Sequence, residues 1–295
     1  MSNPLKHIIC TFVVLSICLN SNAQVKEKKK KEGHKNCIHC TLGDHSAQSP
    51  YSVSFKKEIP YLITGLGLLG SGLLIKSINE EAPFTIDELN NLDPSKINRF
   101  DRGAVYNNSS TARANSNYTL MAGALLPLYF LSNHNTRYDF IPLLVMGAEV
   151  YTITSTLALN SKYTFNRTRP LAYNPEFSDD IRTGKTSKLS FFSGHTAQTA
   201  GFSFFTAKVV TDYHPDMRKS FKAIIWSGAI ALPALTGYFR IKGGKHYNTD
   251  VITGFAVGAA VGWLIPHLHK KKESNLSVAP FNYNNANGLS LTIKL

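Results

Sequence analysis

The chain has 295 residues, enough to bury a substantial core in one large domain or two modest ones. Lysine and arginine number 32 against 19 aspartate and glutamate, a formal net charge of +13. That balance turns the chain away from cationic partners and toward anionic ones: nucleic acid, anionic lipid headgroups or phosphorylated substrates.

Residues 1–23 read as a secretory signal peptide. Lys6 and His7 make a basic start, Ile8 to Leu19 is an apolar run, and Ser21-Asn22-Ala23 offers small residues ahead of Gln24. The run is short of the roughly 20 apolar residues that a membrane span needs. Its removal leaves 31 − 19 = +12 and takes Cys10 and Cys18 with it. Cys37 and Cys40 remain, spaced Cys-x-x-Cys with His34, His39 and His45 nearby. In an exported chain such a pair reads as a local disulfide or an unstructured one before it reads as a metal site. Residues 24–57, opening on Lys26-Glu27-Lys28-Lys29-Lys30-Lys31, are polar and read as a flexible basic tail able to lie on an anionic membrane surface.

The texture changes at Tyr61, where an apolar stretch with Gly65, Gly67, Gly70 and Gly72 runs to Ile75. A polar connection over 78–116 follows, and further apolar helical runs fall near 118–132, 139–160, 190–211, 222–240 and 250–268. The spacing predicts an all-α fold, a six-helix bundle over 58–270, with a C-terminal tail over 271–295. Gly254, Gly258 and Gly262 recur every four residues and predict a smooth stripe for close helix packing. Leu289 to Leu295 alternates as a strand does.

Three short pieces carry the chemistry. Lys162 and Arg169 stand seven apart, followed by Pro170, and Arg240 comes from another helix. A guanidinium fork matches two phosphate oxygens while an ammonium acts as a point charge, so these three suit a phosphoryl group. Ser193-Gly194-His195 precedes an apolar helical run, with Ser193 as N-cap, Gly194 allowing close approach, and His195 placed to donate a proton. His246 and Asp250 are four apart, so the carboxylate can hold one ring nitrogen and free the other as a nucleophile. Arg167, between Lys162 and Arg169, reads as a bystander.

Lys162-x6-Arg169-Pro170, Ser193-Gly194-His195 and Arg240-x5-His246-x3-Asp250 resemble the three-part signature of the type-2 phosphatidic acid phosphatase superfamily, the lipid phosphate phosphatases. Bacterial acid phosphatases and vanadium haloperoxidases share that superfamily. The resemblance implies that His246 forms a phosphohistidine, Asp250 orients it and His195 protonates the leaving group. It also implies that Lys162, Arg169, Arg240, Ser193 and Gly194 hold the phosphoryl oxygens, with no metal and no other cofactor. The partner so implied is a phosphorylated lipid of the lipid A, undecaprenyl pyrophosphate or phosphatidic acid type, at an anionic membrane surface, and no nucleic acid. The alternatives are a non-specific periplasmic acid phosphatase, a vanadium-dependent haloperoxidase and a non-catalytic anionic-lipid-binding protein. Two positions depart from the signature: Phe192 stands for the usual proline and Phe239 for the usual serine. The expected location is the inner membrane with an extracytoplasmic active site, or the periplasm. The run at 118–132 is short for a span, His195 and Gln198 interrupt the one at 190–211, and Glu149 sits mid-helix.

Overall fold

Each apolar run becomes a helix in the computed structural model, which describes residues 49–271, 276–283 and 286–293. The signal-type segment, the Lys26–Lys31 run and the Cys37/Cys40 pair lie outside the described residues. The long helices are α1 (Phe55–Asn79), α2 (Ser110–Leu125), α3 (Phe140–Phe165), α4 (Gly194–Tyr213), α5 (Lys219–Lys242) and α6 (Asn248–His269). Short helical turns occupy the connections, among them Arg99–Arg102 and Pro170–Tyr173. The C-terminal strands β1 (Leu276–Tyr283) and β2 (Ala286–Ile293) pair antiparallel, with Leu276 opposite Ile293 and Tyr283 opposite Ala286.

Helix α4 is the axis of the bundle, packing against α2, α3, α5 and α6. Its polar content follows from that position. Thr196, Thr199 and Ser203 are buried in protein rather than turned to an apolar solvent. The closest approach is to α6, where a Cβ built on Gly258 would lie 2.0 Å from the Ala197 carbonyl oxygen and one on Gly262 2.2 Å from that of Gly201. The small-residue stripe is therefore the α4–α6 contact, as the spacing predicted. Behind it, Met146, Val150, Phe205, Val209 and Ile265 fill the core between α3, α4 and α6.

The flexible-tail expectation for 24–57 fails at its C-terminal end. Tyr51 is buried in that same core, its hydroxyl donates to Asp212 Oδ2 at 2.8 Å, and its backbone bridges to Lys270. One aromatic ring with a polar tip anchors a segment whose composition otherwise favours solvent.

Helices α1, α3, α5 and α6 lie in segments long and apolar enough to cross a membrane. They carry large exposed apolar side chains, including Ile63, Leu74, Ile224 and Ile252. Helices α2 and α4, the two flagged by their length and polarity, are not among the candidate spans. The chain is a membrane protein by these features.

Candidate active site

The three sequence pieces end up at one end of the bundle because each lies at a helix terminus. Lys162 is in the last turn of α3, which stops where Asn166 turns left-handed (φ 39°) and donates its N–H to the Lys162 carbonyl. Pro170 does not break the chain there. It opens the turn Pro170–Tyr173, where its missing N–H costs nothing, and Arg169 stands extended just before it. Ser193 caps α4, accepting from Thr196 N at 3.5 Å, so its hydroxyl is engaged in the cap. Arg240 is in the last turn of α5, and the chain reverses through Gly244, whose φ of +69° suits glycine. A Cβ at Gly244 would also lie 2.5 Å from the Asn107 carbonyl oxygen. His246 then precedes α6, and Asp250 lies in its first turn.

Main-chain hydrogen bonds lock the pieces to each other. Leu171 N donates to Gly244 O at 2.9 Å and Ser193 N donates to Asp250 O at 3.0 Å. Ser190 N donates to Arg167 O at 2.9 Å.

The side chains converge on a buried, strongly positive site. A Cβ on Gly194 would lie 3.6 Å from Lys162 Nζ, so the ammonium faces the start of α4. Arg169 and Arg240 are each 7% exposed, and the Nε of each has no hydrogen-bond partner among the described residues. Arg169 reaches Leu189 O at 3.1 Å and Arg240 reaches Ser116 Oγ at 3.3 Å, which leaves most of both forks uncommitted. His246 is fully buried, with Nδ1 3.5 Å from Asp250 Oδ2, longer than a hydrogen bond but enough to fix which nitrogen faces the carboxylate. Burial, then Arg169, Arg240 and Lys162, hold His246 well below its ordinary pKa. Burial followed by Arg240, Lys162 and Arg169 pushes His195 down to about 3. Both rings are therefore neutral imidazoles at pH 7. His195 Nε2 lies 3.0 Å from Asn117 Oδ1 on α2.

Three cations around two neutral imidazoles make a place for an anion rather than a metal ion. Lys245 adds to the field: burial, Arg169 and Arg240 lower its pKa to about 8.

Asp250 is better served than the sequence suggested. Its Oδ2 accepts from Ser190 Oγ at 2.5 Å and from Tyr247 N at 3.0 Å, which also makes it a cap for α6. Its Oδ1 accepts from Arg167 at 2.5 Å. Arg167 in turn pairs with the fully buried Asp101 at 2.8 Å and lies over the Tyr247 ring at 4.1 Å. Asp101 accepts from Thr249 N at 3.0 Å and Thr249 Oγ1 at 2.6 Å. Arg167 is thus no bystander: it bridges two carboxylates behind the histidine. Its signal was its place inside the first piece. Asp101 and Ser190 lie in connections with no motif of their own. At the two departures from the signature, Phe192 packs with Ala158 and Ala197, and Phe239 lies against Tyr238.

Residues 140–274 match the family model described as the PAP2 superfamily. A lipid A 4'-phosphatase of Porphyromonas gingivalis is 32% identical over 129 residues, 42% of this chain and 50% of that protein. Phospholipid phosphatase 1 of Mus musculus is 28% identical over 173 residues, 48% of this chain and 60% of that protein. The chain thus spans between 50% and 60% of the curated relatives it matches. A crystal structure of a transmembrane PAP2-type phosphatidylglycerolphosphate phosphatase from Bacillus subtilis aligns with 69% of this chain and 94% of that one, at 18% identity and a TM-score of 0.42. The family match covers α3 to α6, which carry Lys162, Arg169, His195, Arg240, His246 and Asp250.

Proposed function

We propose that the protein hydrolyses a phosphate monoester or pyrophosphate on a lipid through a phosphohistidine at His246. The observation that carries this reading is the cluster of half-buried Lys162 with buried Arg169 and Arg240 around His195 and His246. A phosphoryl group entering the cluster meets the free edges of Arg169 and Arg240 and the ammonium of Lys162, which offset charge on its equatorial oxygens. His246 Nε2 attacks phosphorus with its lone pair, the bond from phosphorus to the lipid oxygen breaks, and that oxygen takes a proton from His195. Asp250 stabilises the positive ring. In the second step His195 removes a proton from water, the water oxygen attacks phosphorus, and the N–P bond breaks to release orthophosphate.

His195 must carry a proton for the first step, although burial and the neighbouring cations hold it neutral. An arriving phosphate dianion cancels the cationic field that depresses the ring, so substrate itself raises its proton affinity.

A lipid substrate is favoured by the surface beside His195. Asn117, which meets that ring, shares one stripe of α2 with Met121 and Leu125 at spacings of four, and both apolar side chains are exposed. The relatives named above act on lipid A and on phospholipids by their descriptions. We place the site on the extracytoplasmic face because Arg218, Lys219, Lys222 and Lys270 gather at the other end of the bundle. An impermeant maleimide should label Lys185→Cys but not Lys219→Cys in intact cells, and the reverse pattern would invert the orientation.

The deciding assay is phosphate release from phosphatidic acid, undecaprenyl pyrophosphate and lipid A beside a soluble aryl phosphate. His246→Ala should lose at least about 10³-fold in rate on the preferred lipid. Full activity in that variant would refute the mechanism, and equal activity on the aryl phosphate would refute the lipid preference.

A further inference from the structure

Three titratable side chains from three helices meet away from the phosphate-type site. They are Glu58 in the first turn of α1, Glu149 within α3 and His269, the last residue of α6. Along α6, the 19 residues from Asp250 to His269 put about 28 Å between the two places. One donor atom from each side chain lies within 4.8 Å of the others. His269 is 2% exposed and Glu58 8%.

The details favour a cation at the centre. His269 Nδ1 is 2.8 Å from the Ile265 carbonyl, so that nitrogen carries a proton and donates it. Its Nε2 then faces Glu58 Oε2 at 3.3 Å and Glu149 Oε2 at 3.5 Å. A direct charged N–H···O bond would close to about 2.7–2.9 Å. Glu58 Oε1 and Glu149 Oε2 are buried without a hydrogen-bond donor, and among the described residues neither acid pairs with a lysine or arginine. Two adjacent carboxylates taken out of water need either a shared proton or a positive ion between them, and the 3.3 Å and 3.5 Å approaches of Nε2 to both leave room for the ion. A tetrahedral ion bound at roughly 2.0–2.1 Å sets its ligands about 3.3–3.4 Å apart, close to the 3.3 Å and 3.5 Å from Nε2 to the two carboxylates.

We propose that Glu58, Glu149 and His269 form a structural site for a zinc-class divalent cation. One imidazole with two carboxylates suits such an ion better than magnesium or calcium, which take oxygen ligands. The Ile265 carbonyl on Nδ1 fixes the tautomer that leaves Nε2 as the ligand. Tyr61 packs its ring 4.8 Å from the imidazole and restricts its rotation. Bound there, the ion clamps α1 to α3 and α6, and Glu149, 14% exposed, leaves one side open to a water as fourth ligand.

The full chain, purified in detergent, stripped with a chelator, equilibrated with zinc chloride and desalted, should retain about one zinc per protein by elemental analysis. Zinc should also raise its melting temperature. Glu149→Gln, which keeps the side-chain shape, and His269→Ala should lose both effects, while Cys37→Ser/Cys40→Ser and His246→Ala keep them. Absence of stoichiometric zinc in the unmutated protein overturns the proposal. So does zinc that survives Glu149→Gln and disappears with the two cysteines or His246.

Discussion

At the scale of single residues, the site is a relay of charge in which each group corrects the next. Asp101 and Asp250 are both fully buried, and Arg167 lies between them and joins the two. Asp101 is therefore a positioning residue for Asp250, acting through Arg167 and touching neither the histidine nor a phosphate. Asp101→Asn should lower kcat by about 10- to 100-fold with KM nearly unchanged, since it loosens the acid behind the nucleophile and leaves the phosphate cations alone. A rise in KM equal to the fall in kcat would place Asp101 in substrate binding instead. The two histidines make a second prediction. Their folded pKa values lie below the unfolded value of about 6.5, so below that pH the unfolded chain binds protons that the folded site refuses. Stability should fall as pH drops from about 6.5 toward 3, and orthophosphate, by cancelling the cationic field, should lessen the fall in melting temperature. His195→Asn should flatten the profile. The sequence disclosed the cations and histidines because they sit at fixed spacings on either side of helix ends. It hid Asp101 and Ser190, whose role depends on where two long connections happen to fold back, and it made Arg167 read as a bystander because spacing does not say which way a side chain turns.

Among the helices, the α4–α6 contact holds the start of α4 against the start of α6. Ser193 and Asp250 mark its upper end, and Gly254, Gly258 and Gly262 allow the two backbones to meet below it. Gly258→Ala places a methyl 2.0 Å from the Ala197 carbonyl oxygen, so the helices must part. The expected cost is about 1–3 kcal/mol of stability, read as a lower melting temperature in detergent together with reduced turnover. Gly67 and Gly70 on α1 have open space where a Cβ would go, and alanine there should be neutral or stabilising by up to about 1 kcal/mol. Equal loss at Gly67 and Gly258 would show that the stripe is not a special contact. The stripe was legible because a four-residue repeat of glycine has few other uses in a long apolar helix. The anchoring of Ser49 to Ser54 was not, because a single buried tyrosine outweighs the polar composition around it.

At the scale of the molecule, four of the six long helices among the described residues lie in segments fit for a bilayer, while α4 is shielded by its neighbours. Glu149, which looked costly in a span, turns inward toward His269 rather than to lipid. Alkaline carbonate should leave the protein in the membrane fraction, and release into the soluble phase would reduce these helices to a peripheral bundle.

The bonds from Leu171 to Gly244 and from Ser193 to Asp250 run through main-chain atoms alone. They are blind to the identity of the side chains around them. Under the proposed function, exposed positions beside the site such as Glu176, Asp180 and Lys185 can accordingly change while its base stays seated, so that a headgroup preference would be free to drift apart from the catalytic step.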